Sequence, residues 1–130
     1  MRCGAEIREE IVFDLQGKET DSAIEATVSA FVDQILQEAL RLHASDIHLE
    51  PQENGVLLRL RIDGILYVEA NLSKKIQLPL ASRLKILSRL DIAERRLPQD
   101  GRISIRIENR AIDFRVSTVP AKFGEKIVMR

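Results

Sequence analysis

The stretch from His43 to Pro51, HASDIHLEP, contains side chains that could do chemistry. Its alternating Asp46, His48 and Glu50 would share one side of an extended strand, where an imidazole and two carboxylates could hold a divalent cation. The same alternation is typical of the solvent-facing side of an ordinary strand. Metal ligands also usually come from more than one element and have supporting partners. We therefore predict no metal site and interpret these side chains as the polar side of a strand.

A second possibility in this stretch is a catalytic triad of His43, Ser45 and Asp46. Side chains this close in sequence rarely reach the geometry that a triad needs, and the nucleophile-elbow pattern GxSxG is absent. Phosphate-binding motifs are absent as well, since none of the six glycines forms GxxxxGK(S/T) or GxGxxG. We therefore predict no catalytic residue in this chain and no nucleotide cradle of the P-loop type.

Length and composition limit the classes of protein to which this chain can belong. The 130 residues, 45% hydrophobic and 31% charged, fit one globular domain with an aliphatic core, because aromatic residues make up only 4%. A net charge of zero argues against a protein whose main function is to bind nucleic acid. The single cysteine, Cys3, excludes an internal disulfide and a cysteine-based zinc site. We find no apolar run of about 18 residues and no secretory leader, so we expect neither a membrane span nor a secretory signal.

Basic residues are concentrated between Arg83 and Arg115, where nine of them are opposed by five acidic residues. Arginine outnumbers lysine there, which suits bidentate recognition of phosphate or carboxylate groups. The loop RRLPQDGR is dense in polar side chains, as recognition loops often are. One function that this basic surface allows is a stand-alone binding module for nucleic acid or an acidic protein partner. Cross-strand ion pairs, for example to Asp113 or Glu108, would explain individual arginines equally well.

Hydrophobic periodicity predicts the elements that must position these residues. Apolar residues at steps of three and four predict a first helix from about Ser22 to near His43. The period then changes to two, which predicts a strand that ends at Pro51. Two further strands follow, and the pair Asp63-Gly64 between them predicts a two-residue hairpin turn.

A second helix is predicted for residues 76–94, with Pro79 in its first turn and Lys85 off its apolar face. That face is formed by leucines at helical spacing: Leu80, Leu84, Leu87 and Leu90. Residues 95–101 read as a loop, because Pro98 and the pair Asp100-Gly101 are typical of irregular segments.

Alternation of apolar and polar residues resumes after this loop. It predicts strands over residues 102–107 and 111–118, joined by a turn near Glu108-Asn109, and another strand over residues 126–130. The order of elements predicts an α+β fold, in which a mostly antiparallel sheet of about five to six strands carries two main helices on one face.

The predicted elements also indicate the domain organisation. We assign residues 21–130 to the α+β domain and residues 1–20 to an N-terminal arm or connector.

Four segments of the sequence resemble one known family. They are HASDIHLEP, LRLRIDGIL, SRLKILSRLDIAERRLPQDGRISIRI and DFRVSTVPAKFGEKIVMR, and the resemblance runs from about residue 27 to the last residue. These long ungapped motifs are similar to those of the secretion ATPases of type II secretion and type IV pilus assembly. The resemblance implies that the chain is the PAS-like N-terminal subdomain of such an ATPase, without the RecA-like motor domain that carries the P-loop.

The resemblance also implies an assembly. Full-length members form homo-hexamers, hydrolyse ATP with Mg, and act on an inner-membrane platform protein. We therefore expect this chain to be inactive alone and to bind no cofactor by itself. Its partners would be its own motor domain and neighbouring subunits, with no nucleic acid and no direct membrane insertion. It would be cytoplasmic and held at the inner membrane through its partners.

Three side chains are implied to approach the phosphates of ATP. Arg59 is the first arginine of R-x-R-(V/I)-D-G and the best candidate, and Arg61 shares that motif. Lys74 stands where the family has an arginine, so the charge is kept and the bidentate fork is lost. We expect Asp46 and Glu50 to orient neighbouring arginines or backbone. A further group is assigned to the interface with neighbouring domains: Arg95, Arg96, Gln99, Asp100, Arg102 and Arg115.

Overall fold

The computed structural model describes residues 21–130, with side chains from residue 26 onward. The arm or connector predicted for residues 1–20 lies outside the described residues. The elements in chain order are α1 (Asp21–Arg41), β1 (Asp46–Gln52), β2 (Gly55–Ile62), β3 (Ile65–Ser73), a 3-10 turn (Lys74–Ile76), α2 (Gln77–Leu87), β4 (Gln99–Ile107), β5 (Arg110–Ala121) and β6 (Gly124–Met129). This order confirms the predicted α+β fold. No helix within residues 21–130 is long and apolar enough to cross a membrane.

One sheet contains all six strands, in the spatial order β3-β2-β1-β6-β5-β4. Every pair of neighbouring strands is antiparallel. The first and last strands meet at the centre of the sheet, where Ile47 pairs with Met129. Strand β6 therefore joins the β1-β2-β3 meander to the β4-β5 hairpin, so that all six strands form one open sheet.

Tight turns with positive φ connect two of the four hairpins of the sheet. At the β2-β3 turn, Asp63 and Gly64 have φ values of 53° and 81°, and at the β4-β5 turn Glu108 and Asn109 have φ values of 51° and 64°. Positive φ at both central residues is the signature of the type I′ turn, whose twist matches that of the flanking strands. Both predicted hairpin turns are confirmed.

The core lies between one face of the sheet and the two helices. Alternate strand residues such as Ile47, Leu58 and Val116 are at most 2% exposed, and they belong to one cluster with Phe31 of α1 and Leu84 of α2. Full burial of each such side chain contributes about 1.5–3 kcal/mol of hydrophobic free energy. The aliphatic composition therefore supplies most of the driving force for folding.

The second helix is shorter than its leucine spacing predicts. It ends at Leu87, and Arg89 adopts a left-handed conformation with φ 60°. The amide of Arg89 donates to the carbonyl of Ile86, and that of Leu90 donates to the carbonyl of Lys85, at 3.2 and 2.8 Å. These two bonds form a Schellman motif, which ends a helix by satisfying its last carbonyls. Residues 88–98, part of which we predicted to be helical, form an irregular segment that we call the 88–98 loop.

Two strand boundaries also differ from the prediction. Strand β1 continues through Pro51, which pairs with Val56 of β2. Strand β6 pairs only with residues 47–49 of β1, so Pro51 has a neighbouring strand on one side only. A proline, which has no amide hydrogen to donate, is tolerated at such a position. Strand β4 already begins at Gln99, so Gly101 lies in a strand and not in a turn. A Cβ atom at Gly101 would lie 2.6 Å from the carbonyl oxygen of Ser88. Glycine is required there because the 88–98 loop packs directly on β4.

Lys85 is buried, contrary to the prediction that it lies off the apolar face of its helix. Its side chain is 2% exposed, and its Nζ lies 2.7 Å from Oε1 of Glu125 on β6. The same ammonium group donates to the carbonyl oxygen of Glu94 at 2.6 Å. The sequence pattern could not show this, because both partners lie outside the helix. This buried pair ties α2, the 88–98 loop and β6 together.

We expect Lys85→Met to lower the free energy of unfolding by about 3–5 kcal/mol, because it leaves the buried Glu125 carboxylate without a counter-charge. The double variant Lys85→Met/Glu125→Leu should recover most of that loss, since no uncompensated charge remains. Arg106→Met, at an exposed position of β4, should change stability by less than about 0.5 kcal/mol. Urea denaturation followed by circular dichroism measures all three. A loss below 1 kcal/mol in the single variant would contradict the buried-pair account.

Candidate functional site

The face of the sheet that points away from the helices carries a dense array of charged and polar side chains. We call it the open face. Because side chains alternate across each strand, the residues between the core positions project from it. They are Asp46, His48 and Glu50 of β1, Arg59 and Arg61 of β2, Lys126 and Val128 of β6, Arg115 and Ser117 of β5, and Asp100 and Arg102 of β4.

The HASDIHLEP stretch supplies the centre of the open face. Ile47 and Leu49 are buried in the core, whereas Asp46, His48 and Glu50 lie on the open face. The interpretation as a strand with a polar side is thus right for the backbone, but His48 does not face solvent, since its side chain is only 11% exposed. Within residues 21–130 no group of three His, Cys, Asp or Glu side chains is placed to hold a metal ion.

Both arginines of the R-x-R-(V/I)-D-G motif have carboxylate partners on β1. Nη2 of Arg59 donates to Oε1 of Glu50 at 2.6 Å. Nε of Arg61 lies 3.4 Å from Oδ2 of Asp46, and its Nη1 donates to the carbonyl oxygen of Gly64 at 3.0 Å. The contacts match the expected orienting role of the two carboxylates. Arg59 must therefore leave or share Glu50 before it can bind an external anion.

His48 lies between these two ion pairs and is directly opposite Arg59 in the β1-β2 register. Burial lowers the pKa of His48 below its ordinary value of 6.5, the nearby Asp46 carboxylate partly offsets this, and the positive charge of Lys126 adds to the lowering. The nearest carboxylate oxygen, on Asp46, lies 3.5 Å from Nε2. The imidazole is therefore mainly neutral at pH 7.

Lys74 lies at the rim of the sheet, away from the motif arginines. Its Nζ donates to the carbonyl oxygens of Gln52 at 3.1 Å and Phe123 at 3.4 Å. The preceding residue, Ser73, pairs with Gly55, four residues before Arg59 on β2. At about 3.3 Å per residue, the backbone positions of the two residues are roughly 13 Å apart along the strand. The structure thus brings Arg59 and Arg61 onto one face, with Lys74 at the rim of the sheet.

Gln99, assigned to the interface from the sequence, is turned inward to organise the 88–98 loop. Its Oε1 accepts from the amide of Asp91 at 2.9 Å, and its Nε2 donates to the carbonyl oxygens of Asp91 and Glu94 at 3.0 and 3.2 Å. Arg95 and Arg96 remain exposed on the outer side of this loop. Gln99 therefore holds in place the segment from which both arginines project.

The basic stretch from Arg83 to Arg115 is not one surface, which corrects the sequence-based interpretation. Lys85 is buried in its pair with Glu125, and Arg83 lies on α2, on the helix side of the sheet. Of the basic residues in this stretch, Arg102 and Arg115 lie side by side on the open face. There Arg102 and Arg115 line a cleft of about 300 Å³ with Asp100, Gly101, Val116, Ser117, Val128 and Arg130.

Arg130 is the residue of this cleft that the sequence reasoning missed. A signal was present, since Lys126, Val128 and Arg130 alternate with the apolar Ile127 and Met129. The register between β5 and β6 then brings Arg130 beside Arg115, a long-range contact that the local pattern does not contain.

His48→Gln should flatten the dependence of stability on pH near neutrality. Because the pKa of His48 is lowered in the folded state, the unfolded chain binds more protons, so stability is lost as the pH falls through 6.5. One such group contributes a slope of at most about 1.4 kcal/mol per pH unit. Urea midpoints between pH 7.5 and 5.5 measure this, with the exposed His43→Asn as the matched control. An unchanged slope in the His48 variant would contradict the assignment.

Gln99→Ala should loosen the 88–98 loop without unfolding the domain. The variant removes three side-chain hydrogen bonds, and we expect a loss of about 1–3 kcal/mol together with faster hydrogen exchange at the amide of Asp91. Exchange measured by NMR gives the readout. Gln52→Ala, an exposed glutamine at the end of β1, serves as the control. Equal exchange rates at Asp91 in the parent and the Gln99 variant would contradict the organising role.

Comparison with known proteins shows that the sequence matches one protein family. The family model described as type II/IV secretion system protein matches residues 21–130. The chain is 48% identical over 110 residues to the type II secretion system protein E of Xanthomonas campestris pv. campestris, with 85% of this chain and 19% of the relative covered. It is 51% identical over 110 residues to the putative type II secretion system protein E of Escherichia coli K12, with 85% of this chain and 22% of that protein covered.

A pilus protein and a solved structure are also similar. The type IV pilus assembly ATPase PilB of Acinetobacter baylyi is 45% identical over 107 residues, which cover 82% of this chain and 18% of PilB. The X-ray structure of the Legionella pneumophila ATPase DotB matches with a TM-score of 0.57 at 20% identity, over 78% of this chain and 28% of DotB, which shows a shared fold. This chain spans about a fifth of the length of these curated relatives. With its matched motifs on the open face and in the 88–98 loop, the chain belongs to the type II/IV secretion system protein family.

Proposed function

We propose that residues 21–130 are the N-terminal subdomain of a hexameric ATPase that powers type II secretion or type IV pilus assembly. The names of the relatives support the class: one from Vibrio cholerae is a type II secretion system ATPase E, and another is PilB. The chain itself has no P-loop. ATP with Mg would therefore be bound and hydrolysed by a motor domain, and this subdomain would contribute positioning and movement.

The observation that carries the phosphate-contact role is the Arg59–Glu50 pair. Arg59 is 26% exposed on the open face and is held by one carboxylate contact of 2.6 Å. A nucleotide phosphate carries more negative charge than a carboxylate and accepts the same bidentate hydrogen bonds from arginine. A motor domain with ATP bound could thus attract Arg59 away from Glu50 and draw the subdomain toward it.

The neighbouring cations would act in different ways. Arg61 is fixed by Asp46 and by the Gly64 carbonyl, so it contributes positive potential with little movement. Lys74 would reach a phosphate only from the rim, as a single point charge.

After hydrolysis and phosphate release, Arg59 would return to Glu50 and the subdomain would swing away. Repeated around a hexamer, this movement would transmit work to an inner-membrane platform protein.

The interface role is proposed for exposed side chains. Arg95 and Arg96 project from the 88–98 loop, and Asp100, Arg102 and Arg115 project from β4 and β5. In the assembled ring they would contact a motor domain of a neighbouring subunit. The protein would lie in the cytoplasm and reach the inner membrane through its partners.

Arg59→Ala in the full-length ATPase should lower kcat/KM for ATP about tenfold or more, because a hydrogen bond to a charged group contributes about 1.5–3 kcal/mol. Glu50→Gln should act in the opposite direction on KM, since it removes the carboxylate that competes for Arg59. Steady-state ATPase assays on the hexamer measure both. Arg106→Ala, an exposed arginine of β4, is the control. Unchanged turnover and ATP affinity in Arg59→Ala would contradict the phosphate-contact role.

A further inference from the structure

Three arginines form a continuous row across one end of the open face. Arg102 on β4 is the register partner of Arg115 on β5. Arg115 and Arg130 exchange two backbone hydrogen bonds, each of 2.9 Å. The three side chains therefore lie at the same level of neighbouring strands. We call Arg102, Arg115 and Arg130 the arginine row.

None of the three guanidinium groups has a carboxylate within ion-pair distance among the described residues, unlike Arg59 and Arg61. The two acidic residues closest in register are already engaged. Asp100 accepts a hydrogen bond of 2.7 Å from Ser117, and Asp113 accepts one of 2.7 Å from Ser104. These cross-strand pairs stand on either side of the Arg102–Arg115 pair, and their carboxylates form no ion pair with either guanidinium group.

Like charges directly opposite each other on neighbouring strands are destabilising. A purely structural face would gain stability from a carboxylate or a neutral residue at one of these positions. A run of like charges that weakens the fold is the pattern expected of a binding surface, because function often conflicts with stability. The cleft of about 300 Å³ at this row provides room for a ligand group.

The dimensions and lining of the cleft indicate the class of ligand. Neighbouring strands are about 4.8 Å apart, so the row extends over about 10 Å, which is wider than one phosphate group can bridge. Two carboxylates on one face of a helix, at positions i and i+4, are about 6 Å apart and can each meet a guanidinium fork. Asp100 at the edge of the cleft would repel a polyanion such as nucleic acid but can accept from an amide or a basic side chain of a polypeptide.

We propose that the arginine row is a docking site for an acidic segment of a protein partner, with two carboxylates spaced about one helical turn apart. This proposal deepens the interface role proposed above for Arg102 and Arg115 and rests on it, but it holds whether or not Arg59 reaches a nucleotide. It differs from the ATP contact in position, because the row lies on β4, on β5 and at the residue after β6, while Arg59 lies on β2.

The test uses this chain and a synthetic helical peptide that carries Glu at positions i and i+4, with a matched peptide that carries Gln there. NMR of the arginine Nε–Hε groups should show saturable shifts at the arginine row with the Glu peptide and none with the Gln peptide. Arg115→Gln should weaken binding about tenfold or more. Arg106→Gln, on the same strand as Arg102 but opposite Ala111, should leave binding unchanged.

Two further measurements decide the other outcomes. Arg115→Gln should leave the urea midpoint unchanged or raise it, and a clear decrease would show a structural role and overturn the proposal. Pyrophosphate is titrated as the competing probe. Tighter binding of pyrophosphate than of the Glu peptide would identify a phosphate site instead. Absence of shifts with the Glu peptide, or shifts that survive in Arg115→Gln, would also overturn the proposal.

Discussion

The pairing of β1 with β2 on one side and with β6 on the other decides where the charges of this protein lie. Because side chains alternate across a strand, the register that buries Ile47 against the helices also turns Asp46 and His48 to the open face. The same register sets Arg59 opposite His48 and Arg61 opposite Asp46. A slip by one residue would bury the arginines and expose the core. The hydrophobic core thus fixes the charged face.

Within that face the arginines fall into two groups that differ in their partners. Arg59 and Arg61 each have a carboxylate on the neighbouring strand, which partly neutralises their charge. The arginine row has no such partner among the described residues, and its charge is available at once. A subdomain that docks through one group and senses nucleotide through the other would combine stable attachment with a reversible movement.

The parts that could be predicted from the sequence are those fixed by local patterns. Alternation predicts the strands, and the Asp63-Gly64 pair predicts its turn because positive φ is a local requirement. The burial of Lys85 could not be predicted, since its counter-ion Glu125 is brought to it only by the sheet. The same holds for the neighbour relation of Arg115 and Arg130. Long-range register, which no local pattern contains, therefore limits prediction of the candidate site.

The open face divides its arginines into a paired and an unpaired group, and NMR of guanidinium rotation measures that difference. Rotation about the Cζ–Nη bonds slows when an acceptor holds an Nη group, as the Glu50 carboxylate does for Arg59 and the Gly64 carbonyl oxygen does for Arg61. In the ligand-free chain we therefore expect slow rotation for Arg59 and Arg61 and fast rotation for Arg102, Arg115 and Arg130. Equal rates in the two groups, or slow rotation confined to the arginine row, would show that this division is wrong.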